Sequence, residues 1–233
     1  MQLPFFYETI LPQESSVLTV SEQTSKHCIQ VLRMQLGEKI LLTNGTGWLT
    51  EATIITADKK RMAVQTSVAM YKEPATIQTT LAISFVKNPS RIEWLLEKAT
   101  EIGVVGIVPL ICERSEKTVA KSERWDNILI SAMLQSKQVY KPILHKAATV
   151  KELLAVPFSG STFIAHCLEG TKPLAQYLPL AAYRRVLIGP EGDFTRAEIA
   201  TATDAGCLAL DLGQTRLRTE TAGLVAVTLL QHH

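Results

Sequence analysis

From residue 73 onward, short apolar runs alternate with stretches whose apolar residues recur at helical spacing. Residues 81–86 form an almost unbroken apolar run, as expected for a strand buried on both faces. Pro89-Ser90 opens the next helix, with Ser90 and Glu93 at capping-box spacing. Ile92, Leu95, Leu96, Ala99 and Ile102 make its apolar stripe, and Gly103 ends it. Residues 106–110 read as a strand. Residues 123–139 read as a helix with Trp125, Ile128, Leu129 and Ala132 on one side. Strands at 162–166 and 185–189 follow, then a helix from Thr195, a last strand at 207–212 and an apolar helix to Leu230. Such alternation predicts an α/β domain with a mostly parallel sheet covered on both faces.

The first third has a different rhythm. Phe5, Phe6 and Tyr7 fit a short strand, and residues 21–34 fit a helix that Gly37 stops. Residues 39–43, 48–56 and 61–69 read as strands. Asn44-Gly45 signals a hairpin, because a tight primed turn needs residues that accept positive φ. A small β-barrel over residues 1–72 is the expected result, with a linker near Pro74 and a second domain over residues 73–233.

Composition narrows the function classes. Apolar residues make up 46% of 233, enough for real cores and too much for a disordered chain. Residues 1–72 carry seven Lys/Arg and six Asp/Glu, and residues 73–233 carry seventeen and sixteen. Neither half is a strongly basic module, so nucleic-acid contact must come from local patches. Cys28, Cys112, Cys167 and Cys207 are far apart, which argues against zinc or a disulfide framework and for reduced, mostly buried thiols. Neither a signal-peptide pattern nor a run of transmembrane length is present, so a cytoplasmic protein without membrane contact is expected.

Two strand–loop–helix junctions carry candidate chemistry. The first runs Val186-Leu187-Ile188-Gly189-Pro190-Glu191-Gly192-Asp193-Phe194-Thr195, with Thr195 and Glu198 at capping-box spacing. Loops at the carboxyl ends of parallel strands are where α/β proteins bind ligands. An ordinary βα turn has the same composition, so this loop alone does not decide. The second is Leu212-Gly213-Gln214-Thr215-Arg216-Leu217-Arg218-Thr219-Glu220-Thr221-Ala222-Gly223, with Thr219 as candidate N-cap and Glu220 placed to suit the helix dipole. A dipole partner and a surface charge would also account for Glu220 and Arg218. There is no Walker A sequence, and the only Gly-x-Gly, Gly45-Thr46-Gly47, precedes a strand, which disfavours a standard dinucleotide site.

Taken together, Ile188-Gly189-Pro190-Glu191-Gly192, Leu212-Gly213 and Leu217-Arg218-Thr219-Glu220-Thr221-Ala222 resemble the RsmE-type methyltransferases of the SPOUT superfamily. The likeness extends to Glu97-Lys98-Ala99-Thr100-Glu101-Ile102-Gly103, to Pro109 with Arg114-Ser115, to Gln135-Ser136, and to His27 with Val31-Leu32-Arg33 and Gly37. The chain departs from the family pattern at Asp193, where a second glycine is usual, at Lys137-Gln138 and at Pro4.

The resemblance implies a PUA-like β-barrel followed by a SPOUT α/β domain with a C-terminal trefoil knot. It also implies a homodimer that uses S-adenosyl-L-methionine to methylate N3 of a uridine in 16S ribosomal RNA, without a metal. By resemblance, His166, Ile188, Gly189, Pro190, Glu191, Gly192, Leu212, Gly213, Leu217, Thr219 and Ala222 line the cofactor pocket. His166 reads equally well as a core histidine. A valine at Gly192 is expected to intrude into that pocket. Arg218 is the candidate catalytic cation, with Glu220 orienting it or accepting the N3 proton. RNA-contact candidates are His27, Arg33, Lys59, Lys60, Arg61, Arg114 and Gln135, although Lys59–Arg61 also reads as a solvated hairpin tip. The rival functions are methylation of a ribose 2′-hydroxyl and a non-catalytic role in ribosome assembly.

Overall fold

The computed structural model describes residues 3–115 and 122–232. Contacts divide the chain into two units: Met1–Pro74 with Met133–Lys141, and Ala75–Ala132 with Pro142–His233.

The first unit contains β1 (Phe5–Tyr7), β2 (Val17–Thr19), α1 (Glu22–Lys26), β3 (Lys39–Thr43), β4 (Trp48–Thr56), β5 (Ala63–Thr66) and β6 (Met70–Tyr71). The strand order is β1-β3-β4-β5-β2, with β6 also on β4. Among the described residues, only β1–β3 is a parallel pair in this sheet. Ile40, Leu42, Ile54 and Val64 alternate along their strands into one buried cluster with Phe6, Cys28 and Met62. The helix expected over 21–34 is only α1, continued by a π-helical turn at His27–Val31. Ser21 caps α1 by accepting from Thr24 N. Beyond Lys26 the turns widen, with Leu32 N bonding His27 O, and Arg33 at φ 56° ends them. The β3–β4 hairpin forms, but through four residues rather than a two-residue turn. Side chains decide this: Asn44 Oδ1 accepts from Thr46 N, and Thr43 Oγ1 accepts from Gly45 N.

The second unit contains β7 (Gln78–Ser84), α2 (Pro89–Ile102), β8 (Gly106–Ile111), α3 (Ser122–Gln135, whose last residues group with the first unit), β9 (Ile143–Leu144), β10 (Ala148–Thr149), α4 (Val150–Ala155), β11 (Ser161–Ala165), β12 (Tyr183–Ile188), α5 (Arg196–Asp204), β13 (Leu208–Ala209) and α6 (Thr219–His232). Its sheet runs β10-β8-β7-β12-β11-β13, with β9 on β8, and every pair is parallel. Leu81 and Ile83 face a core shared with Leu95 and Leu96 of α2 and Ala226, Val227 and Leu230 of α6. Ala82 faces the opposite core, with Val108, Leu187, Leu153 of α4 and Ala202 of α5. Burying each such leucine contributes roughly 1.5–3 kcal/mol. At Gly223 of α6 a Cβ would come within 2.7 Å of Ile83 Cδ1, so the glycine sets how closely α6 lies on β7.

Several local expectations are corrected. Asn88, not Ser90, caps α2: its Oδ1 accepts from Ser90 N, one residue beyond Pro89. Glu93 instead pairs with Arg124 at 2.6 Å. Helix α3 stops at Gln135, and Lys137 takes φ 58°. The last strand is only Leu208–Ala209. Thr219 is the first residue of α6 rather than a cap outside it. The Thr195–Glu198 capping box of α5 forms as expected. Two buried arginines of β12 serve the fold: Arg184 donates to Leu230 O near the end of α6, and Arg185 donates to Leu153 O near the end of α4.

Candidate functional site

Because every strand of the second sheet is parallel, all carboxyl ends lie along one edge. Ala165 at the end of β11 pairs with Ile188 at the end of β12, which pairs with Ile83 of β7. The loops that follow β11, β12 and β13 therefore meet. They border an open cavity of about 1020 Å³, which Arg91 of α2 also lines.

The loop after β12 is a tight turn, with Asp193 N donating to Pro190 O at 2.9 Å. Asp193 takes φ 61°, a left-handed conformation that aspartate tolerates better than most residues. Its carboxylate recovers part of that cost. Oδ1 accepts from Phe194 N at 2.7 Å, and Oδ2 accepts from Cys167 N at 2.8 Å. Asp193 thus joins the β12 loop to the β11 loop, a tie that a glycine would lack. Arg114 Nη1 donates to Gly192 O at 2.8 Å, and Arg91 Nη1 to Glu191 Oε1 at 3.2 Å. In the third loop, Gly213 at φ 108° donates to Asp211 Oδ1.

Ile188, Gly189, Pro190, Glu191, Leu212, Gly213, Leu217, Arg218, Thr219, Ala222 and His166 all line the cavity. Gly192 does not: a Cβ there would meet only the Arg114 side chain, at 3.5 Å. Glu220 is absent from the lining as well. It is buried in the first turn of α6, with Oε1 3.6 Å from Arg91 Nε, so the cation it faces is Arg91 rather than Arg218. Sequence reasoning missed Arg91, Asp193 and Asp211 as cavity residues. Arg91 follows the carboxyl end of β7, and that position was the available signal.

None of the RNA-contact candidates lines the cavity. His27 packs edge-on against Phe6, 5.5 Å between ring centroids. Arg33 is exposed at the end of the π-helical turn. Lys59, Lys60 and Arg61 are exposed between β4 and β5, where Asp58 Oδ1 accepts from the backbone of Lys60 and Arg61. Gln135 is exposed at the end of α3, and Arg114 props the β12 loop.

His166 Nδ1 accepts from Leu168 N at 3.2 Å. Burial pushes the imidazole below its ordinary value of 6.5, and the Asp193 charge only partly opposes this. The ring is therefore neutral at pH 7, and an NMR titration should give a midpoint below 6.5. A midpoint above it would mean that the carboxylate outweighs burial. Burial also raises the Cys167 thiol, with the Asp193 charge adding to it, so Cys167 is not an activated thiolate. Among the described residues, no cluster of three or more His, Cys, Asp or Glu could hold a metal ion. No helix among them is long and apolar enough to cross a membrane.

Residues 72–231 match the RNA methyltransferase domain family, and residues 20–66 match the RNA methyltransferase PUA domain. A probable rRNA-methyltransferase from Porphyromonas gingivalis superposes with a TM-score of 0.90 at 36% identity, covering 97% of this chain and 95% of that one. Ribosomal RNA small subunit methyltransferase E from Neisseria gonorrhoeae, solved bound to S-adenosyl methionine, gives 0.89 at 28%, covering 99% and 97%. Ribosomal RNA small subunit methyltransferase E of Buchnera aphidicola subsp. Acyrthosiphon pisum is 30% identical, over 91% of this chain and 86% of its own length. With a PUA-like domain before a parallel α/β domain of SPOUT type, the chain belongs to the RsmE-type family of RNA methyltransferases.

Proposed function

We propose that this chain transfers a methyl group from S-adenosyl-L-methionine to N3 of a uridine in 16S ribosomal RNA. The observation that carries the reading is the convergence of the β12 loop and the segment after β13 on one cavity. The residues fit the cofactor. A volume of 1020 Å³ accommodates a ligand of that size. Ile188, Leu212, Leu217 and Ala222 offer apolar surface to an adenosyl group, and Glu191, Asp193 and Asp211 offer negative charge to a cation. His166, Gly189, Pro190, Gly213 and Thr219 complete the proposed binding set, and the neutral His166 adds no repulsion toward a cationic donor. When bound, S-adenosyl-L-methionine supplies a methyl group made electrophilic by its sulfonium.

The chain's own task is to orient the acceptor and manage its proton. Uracil N3 is a poor nucleophile while protonated, and the charge left after deprotonation spreads to the ring carbonyl oxygens. Arg218, at the cavity wall, can donate to such an oxygen through its fork. The target base must leave its stack to reach the cavity. In this reading residues 1–72 hold the RNA, through His27, Arg33 and Lys59–Arg61, while residues 73–233 perform the transfer. The working form is a cytoplasmic homodimer.

Calorimetry with S-adenosyl-L-methionine and methyl mapping of ribosomal RNA from a deletion strain test the proposal. Saturable binding and loss of one N3-methyluridine are expected. A lost ribose methyl would assign the site to 2′-hydroxyl chemistry. Absence of cofactor binding would leave a non-catalytic assembly role.

A further inference from the structure

Glu220 is the buried carboxylate beside the cavity, with only 6% of its surface exposed. Its Oε2 has no hydrogen-bond partner among the described residues, and its Oε1 is 3.6 Å from Arg91 Nε. A carboxylate this deep is costly unless a cation stands close. Arg91 is that cation, although its place does not favour it. It is the third residue of α2, where the positive end of the helix dipole disfavours an arginine. Helix stability therefore does not account for it, whereas its contacts do. Arg91 faces Glu220 at the start of α6 and Glu191 in the β12 loop. The two pairs are unequal: the Glu191 side chain is 67% exposed and that of Glu220 is 8% exposed. Water weakens the outer pair, so the inner one supplies most of the hold.

We infer that Arg91 is a positioning residue for methyl transfer. Through Glu220 it fixes the first turn of α6, and with it Arg218 and Leu217, against the β12 loop that it grips through Glu191. Glu220 then acts through Arg91 rather than as a proton acceptor. The inference rests on the function proposed above, but its mechanical half stands without it.

The test uses the full chain with Arg91→Ala, Arg91→Lys, Glu220→Gln and the double variant Arg91→Ala/Glu220→Gln. Hydrogen exchange of the cofactor-free protein reads the mechanical half. Arg91→Ala should speed exchange over residues 189–193 and 213–222 together, while residues 81–84 in the sheet stay protected. Steady-state methylation of small-subunit RNA reads the other half. Arg91→Ala and Glu220→Gln should each lower kcat by about tenfold or more. The double variant should lose no more than Arg91→Ala alone, and Arg91→Lys should recover part of the loss. Glu220→Gln should leave the pH profile of kcat/KM in place.

Unchanged exchange in Arg91→Ala overturns the inference, as do losses that multiply in the double variant. Disappearance of a pH-profile limb in Glu220→Gln would make Glu220 the base and also overturn it. Should Arg91→Ala fail to fold, Glu220→Gln, which keeps the shape of the side chain, carries the same exchange test. A parent protein without methyl transfer sinks the proposed function, and the exchange arm still decides Arg91.

Discussion

Arg218→Ala is expected to lower methyl transfer by about 100- to 1000-fold, with S-adenosyl-L-methionine affinity within about threefold of the parent. The size follows from what the side chain is asked to do. Loss of the uracil N3 proton puts negative charge on a ring oxygen in a site that must exclude water, where a fixed donor is worth far more than in solvent. Arg218 lies at the cavity wall immediately before α6, so its backbone is set by the helix start. Its side chain is exposed and makes no hydrogen bond or ion pair within the described residues, which leaves the guanidinium available to an acceptor. Such a contact forms only as charge develops, so removing it should act on kcat and leave ground-state binding alone. Arg218→Lys keeps the charge without the fork and should fall between the two. Steady-state rates on small-subunit RNA with parallel calorimetry decide the matter. Equal losses in rate and affinity would make Arg218 a cofactor ligand.

Much of the architecture was legible because it rests on local pattern. The buried run at 81–86 marked a doubly covered strand, although the strand itself is Gln78–Ser84 and stops before Phe85, and the stripe from Ile92 to Ile102 marked an amphipathic helix. Competition between near neighbours explains the local misreadings. Ser90 and Asn88 can both cap, but Pro89 lacks an N–H and favours the first helical position, so the cap falls to Asn88. The turn expected at Asn44-Gly45 lengthened because the Thr43 and Asn44 side chains bond the loop amides.

The site was legible in its parts and not in its assembly. Composition marked both late loops, yet their meeting depends on β11, β12 and β13 lying side by side, a non-local pairing that spacing does not encode. For the same reason Arg91 escaped notice, since its partner Glu191 is 100 residues away. Asp193 is the instructive departure. A left-handed backbone at φ 61° is one a glycine would adopt without strain, and the bond from Cys167 N shows what an aspartate gains there in exchange.

The two glycines of the β12 loop should separate cleanly, against the expectation from sequence that a valine at Gly192 blocks the cavity. Gly189→Val is expected to weaken S-adenosyl-L-methionine binding roughly ten- to a hundredfold, while Gly192→Val stays within about threefold. At Gly189 a Cβ would stand 3.0 Å from Phe194 Cδ2, 3.1 Å from Cε2 and 3.2 Å from Phe194 N. Phe194 has little room to yield, because it is buried in the core shared by α4, α5 and the sheet. The backbone from Gly189 to Asp193 must move instead, and the cavity wall moves with it. Overpacking of this kind costs about 1–3 kcal/mol, and each factor of ten in affinity is about 1.4 kcal/mol. At Gly192 a Cβ would meet only Arg114, at 3.5 Å and 3.7 Å, which is ordinary contact. Arg114 Nη1 donates to the backbone oxygen of Gly192, an acceptor that the substitution keeps. Calorimetry on both variants, with thermal melts to establish folding, reads the difference. Full affinity in a folded Gly189→Val protein would move the methyl donor out of this cavity, and the assignment of the β12 loop as its wall would fall with it.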